Sequence, residues 1–401
     1  MTIDILCRVV DNFGDIGFVY RLARALTAER DAPSLRLVVD DLASFSRLCP
    51  EVDERASCQT VGLWRLVSWD NPGPQGRAEF RLQPPSHVIE CYACGRPDWF
   101  EDLLFDTRRS DTAFVVNLEY FTCETWARDF HLLPSPTRSA WVKKWMFMPG
   151  IEEGTGGLVH DAAFDALLDS CADAERRQGI RNLFLRECGA CGIFFSVAES
   201  QVASRFWVTV FSYEHDFSSV IADLALFSRE RPIAVFLAAG RSAPGFRSFW
   251  EKAGKPFPLV ELPFLAQEDW DRLQCASDFC IVRGEESFAR AILAGKPFLW
   301  ECYPFSSGGQ LPKVHAFLAV MERSLPRHAF GPYRDMTLLF NRAGSRIGVE
   351  DSGPEVLELP EGVLLEVLRS NLNDSFEKLA RKALKQGNLA SKVLTLMRNM
   401  R

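Results

Sequence analysis

Positive charge, long apolar runs and repeated segments are what this 401-residue chain lacks. Its 46 Lys and Arg are outnumbered by 53 Asp and Glu, giving a net charge of −7. No basic stripe is visible either, which argues against nonspecific tracking of nucleic-acid phosphates and leaves nucleic acid out of the expected partners. No apolar run approaches the roughly 18 to 20 residues of a membrane span. The first residues, MTIDILCRVV, have no basic leader ahead of a long apolar core. A soluble, cytoplasmic protein without membrane association is the expectation.

Hydrophobic residues make up 47% and charged residues 25% of the chain, an ordinary globular composition. The length favours two domains over one core. The 12 cysteines are scattered, a spread that suits reduced thiols better than a disulfide framework. Cys91/Cys94 and Cys188/Cys191 have zinc-knuckle spacing, but no histidine ligands lie near them. Thiols packed as small hydrophobes are favoured, and no metal is expected.

Period and punctuation give an alternation of apolar strands and amphipathic helices. In the first half the strand-like runs are IDILCRVV, LRLVVDD, HVIECYA and AFVVNLEY. In the second they are FWVTVFSYE, IAVFLAAG, FPLVELPF, DFCIV and PFLWECY. Such alternation predicts an α/β protein with a mainly parallel, doubly wound sheet in each half. Two Rossmann-like domains facing a central cleft is the GT-B glycosyltransferase layout. The junction is expected near Cys188 to Ser200, dividing the chain into an acceptor-binding domain over 1–188 and a nucleotide-sugar-binding domain over 189–383. The tail from Glu361 reads as helical throughout, and its end, about 384–401, is expected to return to the first domain.

Three groups of residues suggest chemistry. In RVVDNFGDIG, Asp11 and Asp15 leave the carboxyl end of the first strand, where carboxylates orient or deprotonate a nucleophile or receive a cation; the alternative is one N-cap and one turn residue. In FCIVRGEESFAR, Arg283 and Gly284 end a buried strand, Glu285 and Glu286 follow, and Ser287 opens a helix. Arginine, hydroxyl and helix-terminal N–H groups can hold a diphosphate, while a glutamate accepts sugar hydroxyls; a plain capping box is the alternative, weakened because Arg290 is not Glu or Gln. In LPFLAQEDWDRL, Phe264, Gln267 and Trp270 suit a stacked base whose edge is read by an amide, or else Phe264 and Trp270 staple a helix start. Asn117, Glu119 and Tyr120 end another apolar strand and are acceptor-side candidates. Gly156 and Gly157, in GIEEGTGGL, permit close backbone approach to a sugar or phosphate.

Taken in order, DNFGDIG, NLEY followed by LPSP, GTGGL, PFLAQEDWDRL, RGEESFARAILAGKPFLW, YP and the HAF of KVHAFL resemble the EarP family, bacterial protein-arginine rhamnosyltransferases that modify elongation factor P. The resemblance spans roughly residues 5 to 320. It implies a GT-B fold, a dTDP-β-L-rhamnose donor, inversion at the anomeric carbon, no metal or other cofactor, and transfer to one arginine of elongation factor P. Asp15 then falls where the family has its general base or guanidinium activator, Asp11 beside it, and Glu285 where a residue orients the catalytic end of the site. Arg283, Glu286 and Ser287 match positions holding diphosphate and ribose. Phe211, Tyr213, Phe264, Gln267, Trp270 and Tyr303 match positions lining the thymine and diphosphate pocket. Phe305, where relatives often have Gln, departs from the pattern. Two other classes share these features: a cytosolic GT-B transferase with a different acceptor, and a noncatalytic nucleotide-sugar-binding protein, which would be expected to have lost its acids.

Overall fold

The computed structural model describes residues 1–10, 12–109, 111–193, 195, 197–304, 308–343 and 360–400, so Asp11 and Phe305 lie outside the described residues. The chain forms two compact units, Met1–Asp161 with Ala383–Arg401, and Ala162–Lys382.

The first unit is built on β1 (Thr2–Cys7), β2 (Ser34–Val39), β3 (Cys58–Val61), β4 (Trp64–Ser68), β5 (His87–Cys91), β6 (Ala113–Leu118), β7 (Pro134–Ser135) and β8 (Val142–Phe147). Their order is β3-β4-β2-β1-β5-β6-β8-β7. Only the outermost pairs, β3 with β4 and β7 with β8, are antiparallel. The sheet grows outward from β1 in one direction and then from β5 in the other, so a topological switch point lies between them. Side chains alternate as a pleat requires. Ile3, Ile5, Leu35, Leu37 and Val39 join Ile16, Val19 and Leu22 of the helix Asn12–Thr27. Leu6, Val38, Val88 and Val115 point into the opposite layer, with Phe80, Phe100 and Leu104.

The last helix, Leu389–Asn399, belongs to this first layer. Leu389, Val393, Leu394 and Met397 are fully buried in the same core as Ile3 and Leu37. Each such side chain is worth roughly 1.5–3 kcal/mol against exposure, so the helix supplies a contribution as large as a whole domain's stability margin. The tail is not one continuous helix: Val363–Arg369, Asn373–Lys385 and Leu389–Asn399 are separate, and Gly387, at φ +82°, breaks the last two apart.

The second unit holds β9 (Phe206–Val210), β10 (Ile233–Leu237), β11 (Leu259–Glu261), β12 (Phe279–Arg283) and β13 (Phe298–Glu301) in the order β11-β10-β9-β12-β13. All neighbours are parallel, and the switch point lies between β9 and β12.

The first crossing between units falls at Asp161/Ala162, not at 188/189 as the sequence suggested. The helix Ala174–Ala190 is held by the second unit. Arg181, 5% exposed, donates to the Ala276 carbonyl at 2.6 and 2.9 Å and to Asp278 at 2.7 Å. Phe184, Leu185 and Cys188 pack with Trp207, Phe236 and Val260. No described helix is long and apolar enough to cross a membrane.

Candidate functional sites at two sheet edges

In the first unit the helix Asn12–Thr27 begins almost directly after β1, which places Asp15 in its first turn, favoured there by the helix dipole. Asp15 is therefore neither an N-cap nor a turn residue. It is 1% exposed. The Val10 N–H donates to one carboxylate oxygen at 2.7 Å and the Tyr120 hydroxyl to the other at 2.8 Å. Tyr120 follows β6, so strand β1 and strand β6 together fix this carboxylate.

The Tyr120 ring is stacked on Tyr92, 3.7 Å between centroids and 2° from parallel. Tyr92 was invisible in the sequence, where CYACG drew attention for its thiols alone. It stands at φ +62°, followed by Ala93 at φ +50°, and the Cys94 N–H donates to the Cys91 carbonyl at 3.1 Å. This is type I′ turn geometry, normally taken by Asn-Gly. Left-handed backbone costs an L-residue roughly 1–2 kcal/mol, and here it falls at the carboxyl end of β5, beside the switch point. The Tyr92 N–H also donates to Leu118 O at 2.7 Å, tying β5 to the end of β6. Burial, with Cys91 and Asp15 adding to it, pushes the Tyr92 phenol well above its ordinary range, so it stays neutral.

Asn117, 2% exposed, donates its amide N–H to Glu119 and makes a longer contact to Met146 Sδ at 3.7 Å. Its Oδ1 is buried without a partner. The three acceptor-side candidates thus divide: Tyr120 holds Asp15, while Asn117 and Glu119 form a pair of their own.

Gly156 and Gly157 serve the protein's own packing rather than an open approach to a ligand. A Cβ on Gly156 would lie 2.3 Å from Phe147 Cε1, and one on Gly157, at φ +78°, 2.2 Å from the Gly387 carbonyl. Here the chain receives its tail: Leu389 N–H donates to Leu158 O at 3.0 Å and Lys392 Nζ to Thr155 O at 2.9 Å. Of the paired cysteines, Cys91 and Cys188 are buried and Cys94 half-buried, whereas Cys191 is exposed. Burial pushes Cys94 and Cys188 up to about 12, the Cys94 thiol donates to Leu6 O at 3.4 Å, and among the described residues no group of three His, Cys, Asp or Glu could hold a metal.

In the second unit, Arg283 ends β12 and Gly284, at φ +70°, turns the chain straight into the helix Gly284–Ala294. Ser287 therefore does not open the helix as the sequence suggested; it lies within its first turn, 8% exposed, with Glu285 and Glu286 before it. Neither is it an N-cap, so a capping box is excluded. The Arg283 guanidinium sits 4.4 Å from the Phe211 ring centroid and 4.8 Å from that of Tyr213, and donates to Ser212 O at 3.1 Å. Gly240 borders it: a Cβ there would lie 3.6 Å from Arg283 Nη2. Among the described residues one of its five guanidinium donors is used, which leaves the others for an anion.

Around this arginine the structure brings together four of the expected aromatic residues, Phe211, Tyr213, Trp270 and Tyr303. Phe211 meets Trp270 edge-on at 5.2 Å, and Tyr213 meets Tyr303 at 6.3 Å. Gln267 is the first residue of the helix Gln267–Ala276 and is 7% exposed. Leu265 and Trp270 both pack against the core of this unit, whereas Phe264 is 46% exposed. Glu285 is paired with Lys313 Nζ at 2.9 Å, a partner the sequence did not reveal.

Each unit thus carries one cluster at the carboxyl end of its sheet: a clamped carboxylate in the first, an arginine framed by aromatic rings in the second. A carboxylate attracts and orients a cation; such an arginine holds a diphosphate beside a stacked base.

The chain is 31% identical over 367 residues to a protein-arginine rhamnosyltransferase of Pseudomonas aeruginosa, covering 86% of this chain and 88% of that one. It is 33% identical over 328 residues to a protein of the same name from Pseudomonas putida, covering 79% and 81%. A solved structure described as the structural basis for EarP-mediated arginine glycosylation of translation elongation factor EF-P superimposes with a TM-score of 0.59 at 22% identity, over 100% of this chain and 99% of that one. A UDP-GlcNAc 2-epimerase from Neisseria meningitidis, at 9% identity and full coverage of both chains, reaches 0.50 and shares the fold alone. A family model described as Elongation-Factor P (EF-P) rhamnosyltransferase EarP matches residues 3–398. With two Rossmann-like units of GT-B type, this chain is a glycosyltransferase and belongs to the EarP family.

Proposed function

We propose that the protein transfers L-rhamnose from dTDP-β-L-rhamnose to an arginine side chain of elongation factor P in the cytoplasm, with inversion at the anomeric carbon and without a metal. The observation that carries this reading is the clamped Asp15 carboxylate in a chain that matches the family from residue 3 to 398.

Guanidinium is a weak nucleophile, delocalised and charged, with a pKa above about 12. Asp15, held by Val10 N–H and the Tyr120 hydroxyl, supplies fixed negative charge that attracts the cation, directs one nitrogen and accepts a proton as the C–N bond forms. Asp11 is assigned the neighbouring acidic role. On the donor side, Arg283 neutralises charge on the departing dTDP, aided by Ser287 and the first-turn N–H groups of its helix. Phe211, Phe264 and Trp270 face the base, and Gln267 reads its edge. Glu286 accepts ribose hydroxyls, and Glu285, anchored by Lys313, orients the catalytic end.

The test is intact-protein mass spectrometry of elongation factor P incubated with this protein and dTDP-β-L-rhamnose. The expected result is a gain of one deoxyhexose, mapped by fragmentation to an arginine and absent when donor or enzyme is omitted. An unmodified acceptor after long incubation, with donor intact, overturns the proposal.

A further inference from the structure

Glu301 is a buried carboxylate that none of the site assignments uses. It ends β13, is 1% exposed, and stands in register with Arg283 on the neighbouring strand. Two opposite charges on adjacent parallel strands invite a direct ion pair. Glu301 instead binds the loop that follows β9. One oxygen accepts from Ser212 Oγ at 2.6 Å; the other accepts from the Tyr213 N–H at 2.9 Å and from His215 Nε2 at 3.0 Å. Because a carboxylate only accepts, His215 carries its proton on Nε2. His215 is itself buried, edge-on to Phe217 and Phe340. One side chain thus collects three donors within four residues.

That loop frames Arg283. Phe211 and Tyr213 supply its two aromatic faces and Ser212 its carbonyl acceptor. We infer that Glu301 is a positioning residue for nucleotide binding, which holds the 211–215 loop so that the Arg283 guanidinium is presented to the donor diphosphate. Among the described residues every hydrogen bond to the Glu301 side chain comes from the loop, so removing its charge loosens the loop. Arg283 then loses two ring contacts and an acceptor together. This rests on the donor reading above.

The test uses the full-length protein and dTDP as probe. Glu301→Gln keeps the shape but leaves one accepting oxygen for three donors. Hydrogen exchange of the Tyr213 amide is expected to accelerate about tenfold and dTDP to bind about tenfold more weakly by calorimetry, as loss of a charge-assisted hydrogen bond predicts. At saturating donor, turnover falls as well, because Arg283 also neutralises the departing diphosphate, while the KM for the acceptor protein stays within about twofold, a split a merely structural role does not produce. Ser212→Ala removes one bond and shifts both readouts the same way by a smaller factor, which keeps the test decisive if Glu301→Gln fails to fold. A wild type that binds dTDP beside a Glu301→Gln protein that binds it equally well overturns the inference alone. Weakened binding with unchanged Tyr213 exchange overturns it too, because the effect then bypasses the loop. A wild type that binds no dTDP overturns the donor reading itself.

Discussion

Replacing Asp15 by asparagine separates charge from shape at the carboxylate cluster. The Val10 N–H cannot turn away, so the single amide oxygen of Asn must face it at the 2.7 Å position. The amide NH2 then meets Tyr120, whose hydroxyl rotates and accepts instead of donating. Both contacts survive as neutral bonds, about half as strong as charge-assisted ones. Their weakening costs the fold about 1–2 kcal/mol, well inside the margin of a domain. The reaction fares differently. An amide neither accepts the guanidinium proton nor attracts the cation, and a positioned base is worth about 10²–10⁴ in rate, equivalent to about 3–5 kcal/mol of barrier. Transfer followed by mass spectrometry should therefore fall by about three orders of magnitude, while dTDP affinity by calorimetry and the denaturant midpoint stay near wild type. Turnover within tenfold of wild type would refute the role given to Asp15. Lost turnover accompanied by an unfolded protein would refute the hydrogen-bond exchange instead.

Other perturbations reach the remaining parts. Arg283→Ala should weaken dTDP binding about 10- to 100-fold while leaving acceptor affinity unchanged; equal affinity in calorimetry removes the diphosphate assignment. Gly157→Ala forces a Cβ within 2.2 Å of the Gly387 carbonyl at φ +78° and should destabilise the first unit by about 3 kcal/mol, read as a lowered urea midpoint. Burial, reinforced by Lys392, lowers His131 from 6.5 to about 4, and its Nδ1 accepts the Met148 N–H at 3.1 Å. The unfolded chain binds this proton first, so its contribution to stability is intact above pH 6.5 and lost as pH falls from about 6.5 to about 4. Denaturation midpoints across that window should decline, and His131→Gln should flatten that part of the slope.

The sheets were legible wherever a strand is buried on both faces. IDILC, LRLVV, AFVVNL and FWVTV announce themselves by apolar content, and the tail's return by its amphipathic spacing. Strands near the first sheet's rim did not: CQTV is short and polar, and Lys143 and Lys144 disguise VKKWMF. The unit boundary was misplaced because the helix Ala174–Ala190 reads as charged surface, although Arg181 within it is buried against Ala276 and Asp278. Ser287 was taken for a helix start because a glycine with positive φ can turn a strand into a helix without any cap. Site residues at strand ends were visible as residue types. Their partners were not: Tyr92 under Tyr120, Lys313 on Glu285 and Glu301 beneath the Arg283 loop come from distant segments. Tyr92 also occupies a backbone conformation its residue type does not advertise.

The tail helix has a consequence for biosynthesis. A ribosome completes the sheet of the first unit at β8, then makes all of the second unit before Leu389–Asn399 emerges. Until then Ile3, Leu37 and their neighbours lack the covering of Val393, Leu394 and Met397, and the helix bearing Asp15 lacks one of its packing partners. The second unit has every segment it needs first and can fold while the earlier one waits, the reverse of the usual N-to-C order. A nascent chain stalled before residue 389 would expose a sticky sheet face to chaperones and proteases, with its Arg283 half already formed and its Asp15 half unfinished.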